Sequence, residues 1–294
     1  TLTLSHNKNS VKALTGEAVQ LYEARFGFNQ NTHRIAVGEP LGQFYGYITE
    51  GLYQVDDFNY DASTQTYTLK DGVPYHGDKG QIRPGMWKFK NLTGDDNVID
   101  ENDKTVIGNA QPKFYGGLNN SFTYKGFDLS IFLTFSYGNE VLNATKLVTS
   151  KVGSLNYNAL DVMNSSNRWM TINSDGQKVT DPGELAALNA GKTVAAYHDA
   201  QQGDNYIHSW AVEDASYLKL SNVTLGYTFP KNLIARIGLK NLRLYATGNN
   251  LLTWTKYSGF DPEVSTMKSG LTPGVDFGAY PLSRSFIFGL NVAF

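Results

Sequence analysis

The residues best placed to do chemistry lie in one acidic segment, Asn91-Leu92-Thr93-Gly94-Asp95-Asp96-Asn97-Val98-Ile99-Asp100-Glu101-Asn102-Asp103. Hard cations take several oxygen ligands from alternating positions, with glycine at the sharp turn. On that pattern Asp95, Asn97, Asp100 and Asp103 are the candidate ligands for Ca2+. The plainer reading of the same residues is a solvated acidic turn. Acidic pairs such as Asp56-Asp57 can be drawn as a glycosidase dyad, but a sequence fixes no carboxylate separation. Loop solvation accounts for them more simply. The five histidines, His6, His33, His76, His198 and His208, show no metal-ligand spacing. No nucleophile elbow, phosphate-binding loop or zinc signature is present, so the reading is not an enzyme.

Composition narrows the classes further. The chain has 294 residues, no cysteine and a formal net charge of −2. Disulfides, thiolate nucleophiles and zinc–thiolate sites are therefore out. With no block of like charge, the footprint of a nucleic-acid binder is missing. No apolar run approaches the length of a transmembrane helix. The 18 Tyr, 16 Phe and 29 Gly, with few helix-forming runs, favour β structure.

The strands that would position any site alternate with period two. In Phe127–Tyr137 the odd positions are large and apolar, the even ones mostly small and polar. Phe114, Leu118, Phe122 and Tyr124 share one face. Val223, Leu225, Tyr227 and Phe229 share another, as do Phe286, Phe288, Leu290, Val292 and Phe294. Alternation fits a soluble sheet with one face on a core. It also fits a barrel with lipid outside and water inside.

Connection lengths decide between them. Strands 113–124 and 127–139 meet through Lys125-Gly126, and 216–229 reaches 241–252 through a modest turn at Pro230. The long connections, about 140–205 and 255–283, then fall together at the opposite end. Short turns at one end and long loops at the other are the asymmetry of outer-membrane barrels. A third long segment covers about 56–110, and 2–14 with 18–37 are expected to hold two or three strands. A short helix is expected over 183–190, with Pro182 near its start. The expected fold is an all-β, antiparallel transmembrane β-barrel, with about ten strands in this chain.

Several ordered stretches resemble one family. They are Gly38-Glu39-Pro40-Leu41-Gly42-Gln43-Phe44-Tyr45-Gly46-Tyr47 with Glu50-Gly51-Leu52-Tyr53-Gln54, then Lys104 to Gly117, then Asp214-Ala215-Ser216-Tyr217-Leu218-Lys219-Leu220. Asn241-Leu242-Arg243-Leu244-Tyr245 with Asn249-Asn250-Leu251-Leu252-Thr253, and Gly259-Phe260-Asp261-Pro262-Glu263, complete the set. Together they resemble the C-terminal barrel portion of SusC/RagA-like TonB-dependent transporters. The resemblance implies residues 1–294 of a barrel of about 22 strands. The signal peptide, TonB box, plug and first half of that barrel are absent from the sequence.

It also implies import of a glycan or oligopeptide, a SusD-like surface lipoprotein as partner, energy from the TonB complex, and a Bacteroidetes-like Gram-negative outer membrane. Many members carry Asn-Gly-Asp-Gly-x-Ile-Asp at the acidic segment. Asp96 stands here where that pattern has glycine, and the segment is one residue longer. At the C-terminus Gly289, Val292 and Phe294 resemble the strand read by the outer-membrane assembly machinery, an edge open to β-augmentation. A secreted β-sheet carbohydrate-binding module is the alternative. Tyr157, Trp169, Trp210 and Tyr257 are the loop aromatics that would stack on sugars, with girdle anchoring or loop packing as their plainer roles.

Overall fold

A computed structural model describes residues 1–23, 30–94, 96–150, 158–196, 206–266 and 269–294. Its spine is one antiparallel sheet of six strands: β1 (Leu2–Ser5), β2 (Phe114–Tyr124), β3 (Phe127–Tyr137), β4 (Tyr217–Thr228), β5 (Asn241–Thr255) and β6 (Ser285–Ala293). Every neighbour in the sheet is also the next wall strand along the chain. The sheet is therefore a plain up-and-down meander.

Its turns and loops segregate as the connection lengths predict. Lys125 and Gly126 both adopt positive φ, 47° and 89°, which is the two-residue turn whose twist matches the flanking strands. The other short turn contains a helix over Lys231–Ile234 and ends at Gly238, with φ of 77°. Segments 6–113, 138–216 and 256–284 all leave the sheet at the opposite end.

The strand count differs from expectation. Among the described residues six strands form the wall, not ten. Apart from β1, the strands of the first 113 residues lie in the loops. They are two to five residues long, as in His33–Ala36 and Gln43–Gly46. A membrane-spanning strand needs about 9–11 residues, which β2 to β6 supply. The helix expected near 183–190 is present as Pro182–Leu188, with the Asp181 carboxylate accepting the Glu184 amide.

Register assigns each wall residue to a face. One face carries the row Leu2, Leu118, Leu133, Leu220 and Leu252. Further rows are Phe122, Leu129, Leu225, Ala246 and Phe288, and then Tyr124, Phe127, Tyr227, Leu244 and Leu290. The other face carries Asn119, Phe132, Asn222, Asn249 and Ser285 in one row, and Ser121, Ser130, Thr224, Thr247 and Ile287 in another, polar but for Phe132 and Ile287. A stepped bulge keeps the faces in phase. Between the same two rows β3 has no residue, β4 has Ser221, and β5 has Asn250 and Leu251. If Ser221 took a regular place in the ladder instead of bulging, Leu218 and Leu220 would point to the polar side, because a one-residue slip reverses every side chain.

The hydrophobic core is not in this wall. All the buried apolar clusters are built from the three long segments. The largest fully buried side chains, Trp169, Tyr47, Tyr53 and Phe44, belong to them too. By contrast Phe122, Phe288 and Leu290 in the wall are 58%, 81% and 59% exposed. Three loop strands join the segments: Glu140–Asn143 pairs with Val212–Asp214 and, in parallel, with Val275–Asp276. The first segment joins through Tyr47, whose amide donates to the Ile207 carbonyl while its own carbonyl accepts from Ser209.

That joint requires glycine at position 46, because a Cβ there would sit 2.2 Å from the Ile207 carbonyl oxygen. Gly46→Ala is expected to destabilise the loop body by about 1–3 kcal/mol, the usual cost of overpacking. Amide exchange at Tyr47 and Ser209 is the check, and unchanged protection would contradict the assignment.

Candidate functional site

The polar face and the loops meet around space that a solute can reach. A chamber of about 590 Å³ lies between them, lined by Tyr115, Thr134 and Ser136 of the wall and by Asn139, Glu263 and Ser265 of the loops. The wall contributes hydroxyls and amides because these are the polar positions of the alternation. Several bond to each other across strands: Thr134 with Ser221, Asn222 to Asn249, and Thr224 with Thr247.

Two charged contacts set the geometry. Near the turn end, Arg243 on β5 reaches across β4 to Asp128 on β3, donating through Nε at 2.9 Å and through an Nη at 2.5 Å. The strand between them carries Gly226, where a Cβ would meet both charged groups within 2.5 Å. The Arg243 guanidinium also lies over the Tyr245 ring, 5.0 Å from its centre. Near the loop end, Lys219 is 4% exposed, although it is a lysine in a wall strand. Its ammonium pairs with Glu263 and lies 3.7 Å from Asp261. The Tyr217 hydroxyl donates to Glu263 at 2.6 Å. The third long segment is thus tied to the polar face of the wall.

The loops are locked to one another by buried polar groups. Glu213 accepts from Lys146, from the Ser258 amide and from the Ser258 hydroxyl. Burial alone would raise its pKa, but the Lys146 charge and the Ser258 hydrogen bonds outweigh that and hold it below the usual value. His33 joins the first segment to the third: its Nε2 lies 2.9 Å from the Pro273 carbonyl, so that nitrogen carries the proton. Burial lowers its pKa to about 4, against the pull of that carbonyl. His208 is lowered to about 3 by burial and then by Lys146, and it sits against the rings of Trp87 and Phe89.

The residues singled out in the sequence fall as follows. Asp103 is fully buried, and its oxygens accept from the Leu92, Thr93 and Asp100 amides. Burial would raise its pKa, but these amides bring it below the ordinary value. Asp100 accepts the Asn102 amide, and the Asn97 carbonyl accepts from Tyr75. Asp95 lies outside the described residues. Among the described residues no three acidic or histidine side chains converge. Trp169 and Tyr257 are 1% and 5% exposed and serve packing, Trp210 lies against Trp87, and Tyr157 lies outside the described residues. Gly289 sits opposite Tyr245, whose ring covers it so closely that a Cβ would fall 2.0 Å away. Val292 and Phe294 are exposed.

The Asp128–Arg243 bridge was not anticipated. Its signal was an Asp and an Arg alone on the polar parity of two strands. The family motifs, by contrast, meet in space: Lys219 of one pairs with Asp261 and Glu263 of another.

No family model matches the chain. Two TonB-dependent receptors of Formosa agariphila, P3 and P39, are 33% and 30% identical to it over 99% of its length. The chain belongs to the SusC/RagA-like TonB-dependent receptors. SusC of Bacteroides thetaiotaomicron, also a TonB-dependent receptor, is 29% identical over 74% of the chain, which covers 18% of SusC. The chain spans about a quarter of P3 and P39, 26% and 28% of their lengths. Among solved structures, the RagAB peptide transporter superposes with a TM-score of 0.61 at 21% identity, over 97% of this chain and 25% of that one. The RagAB peptide importer in its closed-closed state gives 0.63 at 20%, over 99% and 26%. These establish the fold of the family, an antiparallel barrel wall with long loops at one end.

Acid is expected to loosen the loop body before the wall. Unfolded histidines titrate near 6.5, whereas His33 and His208 stay neutral in the fold until about pH 4 and about pH 3. Between these values the unfolded loops bind more protons, so their stability is full above about 6.5 and falls as pH drops. Glu213, lowered in the fold, adds its own loss below the ordinary carboxylate value. Amide exchange corrected for intrinsic rate, compared at about pH 7 and about pH 5, should show protection falling in the loops but not in β3 and β4. Equal protection at both values would contradict this.

Proposed function

We propose that this chain supplies wall and outward loops to an outer-membrane importer of a nutrient, a glycan or an oligopeptide, in a Bacteroidetes-type Gram-negative bacterium. Import works with a SusD-like surface lipoprotein over the loops and with energy delivered through the TonB complex. One observation carries the reading: the wall exposes apolar rows on one face and hydroxyls and amides on the other. Lipid outside and water inside require that arrangement. The relatives support it by name. SusC and the Formosa proteins are receptors dependent on TonB, and RagAB is a peptide transporter.

In this reading the side chains do no bond-breaking chemistry. The polar face and the chamber at the loop end select what passes, and the Lys219–Glu263 tie fixes one loop against the wall. β6, with Gly289, Val292 and Phe294, pairs on one side only among the described residues of this chain and presents the edge that the outer-membrane assembly machinery reads. The secreted-module alternative is not favoured. A soluble sheet would cover one apolar face with its own core, and the core here sits in the loops.

Leu133→Arg places a charge in the central leucine row and is expected to cost about 2–4 kcal/mol near the membrane midplane. Ser130→Arg, on the opposite face of the same strand, is expected to cost much less. Unfolding of the two variants in lipid is the test, and equal costs would remove the basis of the reading.

A further inference from the structure

The outward face of the wall does not end at its aromatic rim. Phe114 and Tyr137 stack there, 4.9 Å apart with planes 23° from parallel, and Trp254 lies 51% exposed in the row of Phe135 and Leu218. Two adjoining hollows, of about 620 and 550 Å³, open against these rings and share Tyr137, Asp214 and Ser216. Lys8 and Lys113 line the first, and Lys256 lines the second.

The hollows set three lysines against two carboxylates, Glu140 and Asp214, which leaves a positive surplus even though Lys256 acts on Asp214. Both carboxylates have backbone partners: Glu140 accepts the Asn109 amide at 2.7 Å, and Asp214 accepts the Ser216 amide at 2.9 Å. The three lysines are exposed, and none of them forms an ion pair among the described residues. Aromatic rings at an interface set the headgroup level. Lysine ammoniums just above that level are point charges suited to phosphate.

We infer that this rim is a binding site for the phosphorylated headgroup of an outer-leaflet lipid, with Lys8, Lys113 and Lys256 holding the phosphates and the rings of Phe114, Tyr137 and Trp254 packing on its acyl chains. The site rests on the membrane reading of the wall and adds to it a specific lipid partner. The acyl chains continue onto the exposed leucine and phenylalanine rows below, so affinity is shared between phosphate contacts and apolar contact.

The test is the receptor in phosphatidylcholine nanodiscs, titrated with diphosphorylated lipid A and read by native mass spectrometry. Lipid A should be retained, and each Lys→Gln change at positions 8, 113 and 256 should weaken it about fivefold. Lys231→Gln with Arg236→Gln, at the turn end, should leave retention unchanged. Dephosphorylated lipid A should bind no better than phosphatidylcholine, and inorganic phosphate should not displace the lipid. Full retention by the triple variant, or equal binding of the dephosphorylated form, would overturn the site. Displacement by inorganic phosphate would overturn the lipid as its ligand. A receptor that fails to enter nanodiscs at all would instead overturn the membrane reading beneath it.

Discussion

Backbone pairing along the wall is the constraint on which everything else depends. Within this chain the six wall strands bury almost no apolar side chain of their own. Their ladders are nonetheless continuous, from Leu2–Leu118 across to Asn241–Ala293. In a hydrocarbon environment an unpaired backbone group costs several kcal/mol, so the ladder is what makes such a wall viable. The stepped bulge around Ser221 and Asn250 follows from the same demand. It inserts residues while keeping each row on its face, and Asn250 takes a left-handed φ of 51° to do so. The Lys125-Gly126 turn shows the constraint at its tightest, because two strands must reverse with no residue to spare.

The loops obey a different rule. They fold as a water-soluble domain does, around Tyr47, Phe44, Trp169 and Leu142, with short strands and two short helices. Their joint with the wall is electrostatic where it meets the polar face, through Lys219, Asp261 and Glu263. A buried lysine is costly unless paired, and this pairing spans two motifs more than forty residues apart in sequence. The chamber between wall and loops exists because these contacts fix one loop without filling the space beside Thr134 and Ser136. Removing the charge of Lys219 would leave two carboxylates facing a polar wall with no counter-ion.

Much of the wall was legible in the sequence, and the reason is local. Alternation in Phe127–Tyr137 and Ser285–Phe294 reports the face of each residue directly, and Lys125-Gly126 announces its turn. The loops were not legible. Their strands are too short to show a period, and their partners are distant, as with Tyr47 and Ile207 or His33 and Pro273. Expecting several wall strands before residue 113 was a failure of length, since four-residue strands look locally like pieces of longer ones. The family motifs did mark the joints. Gly46, Gly108 and Asp261 each sit where another segment comes within contact, but nothing in their own neighbourhoods names the partner. Asp103 was legible only as a candidate cation ligand or part of a solvated acidic turn; that it is buried and its oxygens meet backbone amides is a property of the folded loop alone.

Because the chain contains no cysteine, single cysteines can be introduced along β3 without interference from its own residues. Spin labels at positions 128 to 135, in the receptor embedded in lipid, would report access to oxygen, which concentrates in lipid, and to a water-soluble nickel chelate. The account predicts oxygen access at Leu129, Ile131, Leu133 and Phe135, and chelate access at Asp128, Ser130, Phe132 and Thr134, alternating strictly. Equal access of either reagent to both sets would contradict a wall with lipid on one face and water on the other.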